Sequence, residues 1–200
     1  MALPLTEPMN SECLSVSGAD SISIEYKGGT RCELALFNST NYCKKLHIEF
    51  DVFKLDELDF EIIIMQLHAK RDFFLGENFR RPPLSLKVYK NTLYLDYSYD
   101  MNSLSLNDFE FLKNHKRHII TNDFSSIINI KMDLQWSMKS DGFLSLKLND
   151  SVSVSESSIN LGYNDLLMPY IKFGVYNFNN YPIEIPYVIN YLDMKYECLM

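Results

Sequence analysis

Between residues 127 and 138 the chain alternates without interruption: Ile128, Ile130, Met132, Leu134 and Trp136 fall on one side, and Asn129, Lys131, Asp133 and Gln135 on the other. A period of two marks a β-strand with one buried and one wet face, because successive side chains of a strand point to opposite sides. The pattern recurs along the chain. Residues 21–26 alternate and end at a Lys27-Gly-Gly29 turn, and 30–37 and 45–53 follow, separated by a polar loop at 38–41. Residues 62–70, 84–89, 92–98, 143–148, 170–178 and 187–198 are further strand-like runs, with tight turns at Lys90-Asn91 and Ser140-Asp-Gly142. The stretch 99–126 reads as polar, with one short helix over 106–114, and the Ser-rich 151–158 reads as a loop. Ten or more short strands with almost no helix predict an all-β chain: two antiparallel sheets stacked as a sandwich, one of them with a wet, concave face.

Two hundred residues suffice for a substantial core, and no linker or repeat divides 1–200, so a single domain is expected. Thirteen Tyr and thirteen Phe with few Ala favour sheet over helix. A net charge of −7 argues against a general nucleic-acid binder. No apolar run approaches the roughly 18 residues of a membrane helix, and the first residues lack the basic-then-apolar pattern of a signal peptide. Residues 70–90 nevertheless carry six basic side chains against two acidic ones, a local excess that attracts polyanions. The cysteines (13, 32, 43 and 198) show no metal spacing. In an exported chain Cys13 and Cys198 would tie the termini together; otherwise the chain holds four reduced thiols. His115 and His118, three apart in a polar stretch without companions, read as solvated rather than metal-binding.

Three strands present chemically capable groups at i, i+2 spacing, each set on one face: Arg31 and Glu33; Gln66 and His68; Tyr170, Lys172, Gly174 and Tyr176. Gly174 leaves room for something to approach the backbone. A broad sheet face lined in this way suits an extended polymer lying across strands. Ile62 and Ile64 would share the Gln66 face of an unbroken strand, so that face is either covered or bulged.

The residues themselves resemble a known family. Arg31-Cys-Glu-Leu34 is similar to the Arg-(Ser/Thr)-Glu-Leu element of β-jelly-roll polysaccharide lyases. Gln66-Leu-His68 resembles their Gln-(Ile/Val)-His, and Tyr170-Ile-Lys-Phe-Gly-Val-Tyr-Asn177 their Tyr-(Phe/Trp)-Lys-x-Gly-(Ile/Val)-Tyr. Arg80-Arg-Pro-Pro-Leu-Ser-Leu86 and the run from Trp136 to Asp141-Gly-Phe-Leu144 bring it nearer to heparin lyase I and glucuronan lyases than to alginate lyases. Cys32 departs from the usual hydroxyl residue, Phe173 and Phe178 depart from the alginate pattern, and the Lys that heparin lyase I places three after the Tyr is missing.

The resemblance implies a jelly roll that cleaves a uronate-containing anionic polysaccharide by β-elimination. It would act endolytically and leave unsaturated uronate ends. Removing the weakly acidic C5 proton requires the adjacent carboxylate to be neutralised. Arg31 and Gln66 are the candidates for that clamp, and His68 and Tyr176 for proton transfer. In a syn elimination one Tyr serves as base and acid; in an anti elimination His68 takes the proton and Tyr176 protonates O4. Lys172, Glu33, Tyr170, Arg71, Arg80 and Asn177 are the candidate substrate contacts. No metal or other cofactor is expected; a structural calcium is compatible with the resemblance but is not predicted from the sequence. The expected partner is the anionic polysaccharide, with no nucleic acid or membrane, acting on a monomer; a secreted or periplasmic setting suits such a substrate. Two other readings stand beside this one. A jelly-roll glycoside hydrolase would use Glu57 and Glu61 of Glu57-Leu-Asp-Phe-Glu61, which on an unbroken strand face away from Gln66 and His68. A non-catalytic glycan-binding module would keep the sandwich without a His–Tyr pair.

Overall fold

The computed structural model describes residues 14–16, 21–27, 29–36, 43–54, 57–69, 81–101, 114–165, 168–179, 181 and 186–199. Among them are thirteen strands: β1 (Leu14–Val16), β2 (Ile22–Tyr26), β3 (Arg31–Leu36), β4 (Lys45–Lys54), β5 (Ile62–His68), β6 (Leu84–Tyr89), β7 (Thr92–Ser98), β8 (His115–Thr121), β9 (Ile128–Gln135), β10 (Ser137–Leu148), β11 (Ser151–Leu161), β12 (Tyr170–Tyr176) and β13 (Tyr187–Leu199). They form a seven-stranded sheet, β1-β2-β13-β4-β9-β10-β11, and a six-stranded sheet, β3-β12-β5-β6-β7-β8. All described strand pairs are antiparallel. The all-β sandwich is thus the fold the alternation predicts.

The core lies between the sheets. β4 sends Leu46, Ile48, Phe50 and Val52 inward, and β9 sends Ile128, Ile130, Met132 and Leu134, all buried. They meet Leu34, Phe173, Val175, Leu86 and Leu95 from the six-stranded sheet in one continuous cluster. Phe50 and Phe173 touch edge to face across the layers, ring centroids 5.1 Å apart, the arrangement aromatic quadrupoles prefer.

Four expectations need correction. The Ser-rich 151–158 is not a loop but most of β11. It is an edge strand with only Val154 and Leu161 buried, so it carries almost no apolar alternation, and polar side chains there also guard an unpaired edge. Part of the polar 99–126 is β8, again an edge strand; most of the proposed 106–114 helix lies outside the described residues. The chain does reverse between Gln135 and Phe143, but Ser140-Asp-Gly142 is part of β10 rather than a separate turn, and the pairing with β11 shifts register on both sides of Gly142. A Cβ at Gly142 would stand 2.7 Å from the Ile159 carbonyl oxygen, so glycine is there for close backbone approach. Finally, Cys198 pairs with Cys43 rather than Cys13, with Cα atoms 5.4 Å apart. β13 runs beside β4, and the start of β4 brings Cys43 alongside. Cys32 is disulfide-bonded as well, so the reduced-thiol alternative does not hold.

Candidate functional site

β12 is the axis of the site. It pairs with β3 on one side, setting Gly174 opposite Glu33 and Tyr176 opposite Arg31. On the other side it pairs with β5, setting Tyr170 opposite His68 and Lys172 opposite Gln66. Opposed residues of an antiparallel pair point to the same face, so Arg31, Glu33, Gln66, His68, Tyr170, Lys172 and Tyr176 all stand on the outer face of the six-stranded sheet. Asn177, the next residue, turns away. Its side chain is buried, donates to the Tyr26 hydroxyl at 3.1 Å and the Tyr181 carbonyl at 2.8 Å, and accepts from the Tyr181 N–H. It fastens the end of β12 instead of facing the site. Arg71 and Arg80 lie outside the described residues.

The difficulty posed by Ile62 and Ile64 is resolved by a bulge. The β5–β6 register shifts between Ile63 and Met65, and the β12–β5 register shifts between Phe173 and Tyr176. One extra residue in β5 reverses its alternation. Ile62 and Ile64 therefore enter the core, while Ile63 shares the outer face with Gln66 and His68. The same bulge brings Glu61 to the outer face, against the unbroken-strand expectation. There its carboxylate accepts from Lys87 at 3.2 Å and Arg117 at 2.8 Å, while Glu57 accepts from Asn91.

The backbone groups released by these shifts are satisfied from below. Tyr191 of β13 projects its hydroxyl from the opposite sheet, donating to the Ile64 carbonyl and accepting from the Gly174 N–H at 3.2 Å. Burial raises its pKa well above 10, keeping it a donor. Gly174 is held at φ +146°, and a Cβ there would overlap the Cys32 carbonyl oxygen at 2.2 Å, so no other residue fits. Tyr191 escaped the sequence reading because it occupies an ordinary inward position of an alternating strand.

The site has two layers. Arg31, His68, Tyr170 and Tyr176 are partly exposed, whereas Glu33, Gln66 and Lys172 are buried beneath them. Gln66 Nε2 donates to Glu33, so the amide is turned to a neighbouring side chain. Arg31 Nη1 and Lys172 Nζ stand 3.9 and 3.7 Å from Glu33 Oε2. The Arg31 guanidinium lies 4.3 Å from the Tyr176 ring centroid, a cation–π contact. The His68 and Tyr170 rings are 5.3 Å apart.

His68 Nδ1 lies 2.9 Å from the Ala69 carbonyl oxygen. A carbonyl only accepts, so this nitrogen carries the proton and Nε2 keeps its lone pair. Burial, then the positive charges of Lys172 and Arg31, push the imidazole down to about 4 against the pull of the Ala69 bond. The ring is a neutral base across the physiological range. Six residues of β12 separate Tyr170, beside His68, from Tyr176, on the order of 20 Å if fully extended. Arg31, opposite Tyr176, touches its ring, and its charge is the weakest of the influences on His68.

His115 and His118 do not form a pair. His115 lies on the outer face, 3.2 Å from Asp96, and His118 on the inner face, 2.9 Å from Glu156. Residues three apart on a strand point to opposite sides.

Solved structures share this architecture. An endo-β-1,4-glucuronan lyase from the fungus Trichoderma reesei superposes with a TM-score of 0.76 at 12% identity, covering 98% of this chain and 91% of that one. An alginate lyase from Pseudomonas aeruginosa gives 0.62 at 15% identity, covering 95% and 87%. Alginate lyase A1-II', of polysaccharide lyase family 7, gives 0.66 at 13%, covering 94% and 84%. No curated protein matches the chain. The fold is therefore the β-jelly-roll of these enzymes. Residues 10–193, which include every strand that builds the site, match the family described as polysaccharide lyase, and the chain belongs to that family.

Proposed function

We propose that the protein cleaves a uronate-containing polysaccharide by β-elimination at the outer face of the six-stranded sheet. The carrying observation is that β3, β12 and β5 lie side by side with Arg31, Gln66, His68 and Tyr176 on one outer face, and that Arg31 contacts the Tyr176 ring. Arg31 pairs with the carboxylate of the bound uronate and stabilises the enediolate that forms as C5 loses its proton. Gln66, turned to Glu33, acts from below by holding that carboxylate beside Arg31. His68 Nε2 takes the C5 proton. The C5–H electron pair forms the C4–C5 double bond, the C4–O4 bond breaks, and the Tyr176 hydroxyl protonates the departing O4. Proton return from the imidazolium to the phenolate restores both groups. A neutral imidazole needs no prior deprotonation, whereas a phenol near its ordinary pKa of about 10 does; this favours His68 as base over Tyr176 in both roles.

The glucuronan and alginate lyases that share the fold support a polyuronide substrate. The Cys43–Cys198 bridge suits an oxidising compartment, where such polymers are met. Monomeric action on a polymer, without metal, is part of the same reading. The test is a panel of glucuronan, heparin, heparan sulfate and alginate monitored in the ultraviolet. Product absorbance from a C4–C5 double bond is expected with at least one polymer. Reducing ends without that absorbance would overturn elimination in favour of hydrolysis, and binding without any cleavage would leave a glycan-binding module.

A further inference from the structure

The six-stranded sheet is compressed between His68 and Tyr176, and one hydroxyl stands under the compression. From the pairs that Leu67 makes with Ile171 and Leu84 to those that Ile63 makes with Tyr176 and Lys87, β12 advances five residues, β5 four and β6 three. A regular ladder continued from the Phe173–Met65 pair would set Tyr176 against Ile62. The shift sets it against Ile63 instead, about 3 Å nearer along β5 to Gln66 and His68. The surplus length leaves the β12–β5 ladder at Gly174, Val175 and Ile64, where the main chain has no partner across that pair of strands.

Tyr191 answers both strands at once. Its hydroxyl donates to the Ile64 carbonyl, accepts from the Gly174 N–H at 3.2 Å and lies 3.1 Å from the Gly174 carbonyl oxygen. The side chain is fully buried, and its ring packs on Phe50 and Phe173 with centroids 6.0 and 5.3 Å away. A phenylalanine would fill the same space, so the core needs the ring and not the oxygen. What the oxygen adds is a tie between β5, which carries Gln66 and His68, and β12, which carries Tyr176. Without it, buried main-chain groups on both strands lose their partner. The strands regain partners only by sliding towards the regular ladder, which carries Tyr176 away from His68 by up to one residue. A misplacement of about 1 Å between reacting groups costs on the order of a hundredfold in rate.

We infer that Tyr191 is a positioning residue for the elimination: from the buried side of the sheet its hydroxyl sets the separation of His68 and Tyr176. The inference rests on the lyase reading and adds to it a residue that touches no substrate. The experiment measures kcat and KM on whichever polyuronide the native protein cleaves best, for Tyr191→Phe and for Tyr97→Phe. The second variant also removes a hydrogen bond from a buried tyrosine hydroxyl, the one Tyr97 gives Glu156, but on β7, away from the compressed interval. Tyr191→Phe should lower kcat about a hundredfold and leave KM within about threefold, because no group is lost from the outer face. Tyr97→Phe should keep kcat within about twofold. A kcat for Tyr191→Phe within about threefold of native, or an equal loss in Tyr97→Phe, overturns the positioning role and leaves the lyase intact. Should Tyr191→Phe not fold, 4-aminophenylalanine at position 191 takes its place. Its amine still donates to the Ile64 carbonyl but accepts poorly from the Gly174 N–H, so kcat should fall about tenfold, and native turnover overturns the role. If native protein yields unsaturated product from no polymer, the lyase reading fails instead. The ring NMR signals of His68 and Tyr176 then decide the placement: displacement by the position-191 variant and not by Tyr97→Phe upholds it, and unmoved signals overturn it.

Discussion

Glu33 and Asp96 are both buried carboxylates on the outer face of one sheet, each surrounded by cations, yet they are held differently. Asp96 is saturated. Arg117 forks onto it with Nε and Nη2 at 2.7 Å, and Lys87 and His115 close in at 2.8 and 3.2 Å. Burial alone would raise its pKa, but the hydrogen bonds from Arg117 and Lys87 outweigh this and carry it down to about 2. Glu33 accepts a hydrogen bond from Gln66 on one oxygen, while the other makes none among the described residues, with its cations beyond 3.5 Å. A buried ionic network with every valence filled is a structural clamp. At Glu33 the cations Arg31 and Lys172 stand near the carboxylate without hydrogen-bonding to it, on the face where the proposed reading puts the substrate. The same ingredients make a girder at one end of the sheet and the proposed binding site at the other.

The comparison can be broken by mutation. Tyr176→Phe should have the largest effect, a loss of about a thousandfold or more in product absorbance with polymer binding retained; ordinary turnover would remove Tyr176 from the chemistry. Arg31→Lys keeps the charge but loses the planar fork and the ring contact, so kcat/KM should fall by roughly a hundredfold. Asp96→Ala should lower unfolding stability by about 3 kcal/mol, since it removes the buried carboxylate shared by Lys87, Arg117 and His115 and leaves Glu61 to hold Lys87 and Arg117. Glu33→Gln should cost about 1 kcal/mol or less yet reduce kcat/KM roughly tenfold through misplaced neighbours. If the two substitutions destabilise equally, the clamp-versus-site distinction falls.

The remaining effects lie in pH. His68 titrates at about 4 when folded against 6.5 ordinarily, so below 6.5 the unfolded chain takes up a proton the folded chain refuses. Stability should therefore decline as pH drops through that window, by up to about 3 kcal/mol. Asp96, lowered from 3.8 to about 2, contributes stability above 3.8 that is lost only as pH falls towards 2. Urea unfolding across pH should show two separate declines, the upper removed by His68→Asn and the lower by Asp96→Asn. A single decline insensitive to both substitutions would contradict these assignments.

What the sequence determined by itself was the facing of side chains along each strand. Alternation is local, so the inward set of β4 and β9 and the outward sets Arg31/Glu33, Gln66/His68 and Lys172/Tyr176 were legible residue by residue. It was silent where a strand lies at an edge, as in β8 and β11, because exposed strands carry no apolar rhythm. Only the tertiary structure decided which outward sets became neighbours, since the order β3-β12-β5 is a matter of hydrogen bonding between segments over a hundred residues apart. It also decided the bulge at Ile64, which reverses the facing of everything before it and is anchored by a hydroxyl from the other sheet. And it decided which carboxylate is saturated, because that depends on cations from several strands arriving at one point, a relation no local spacing encodes.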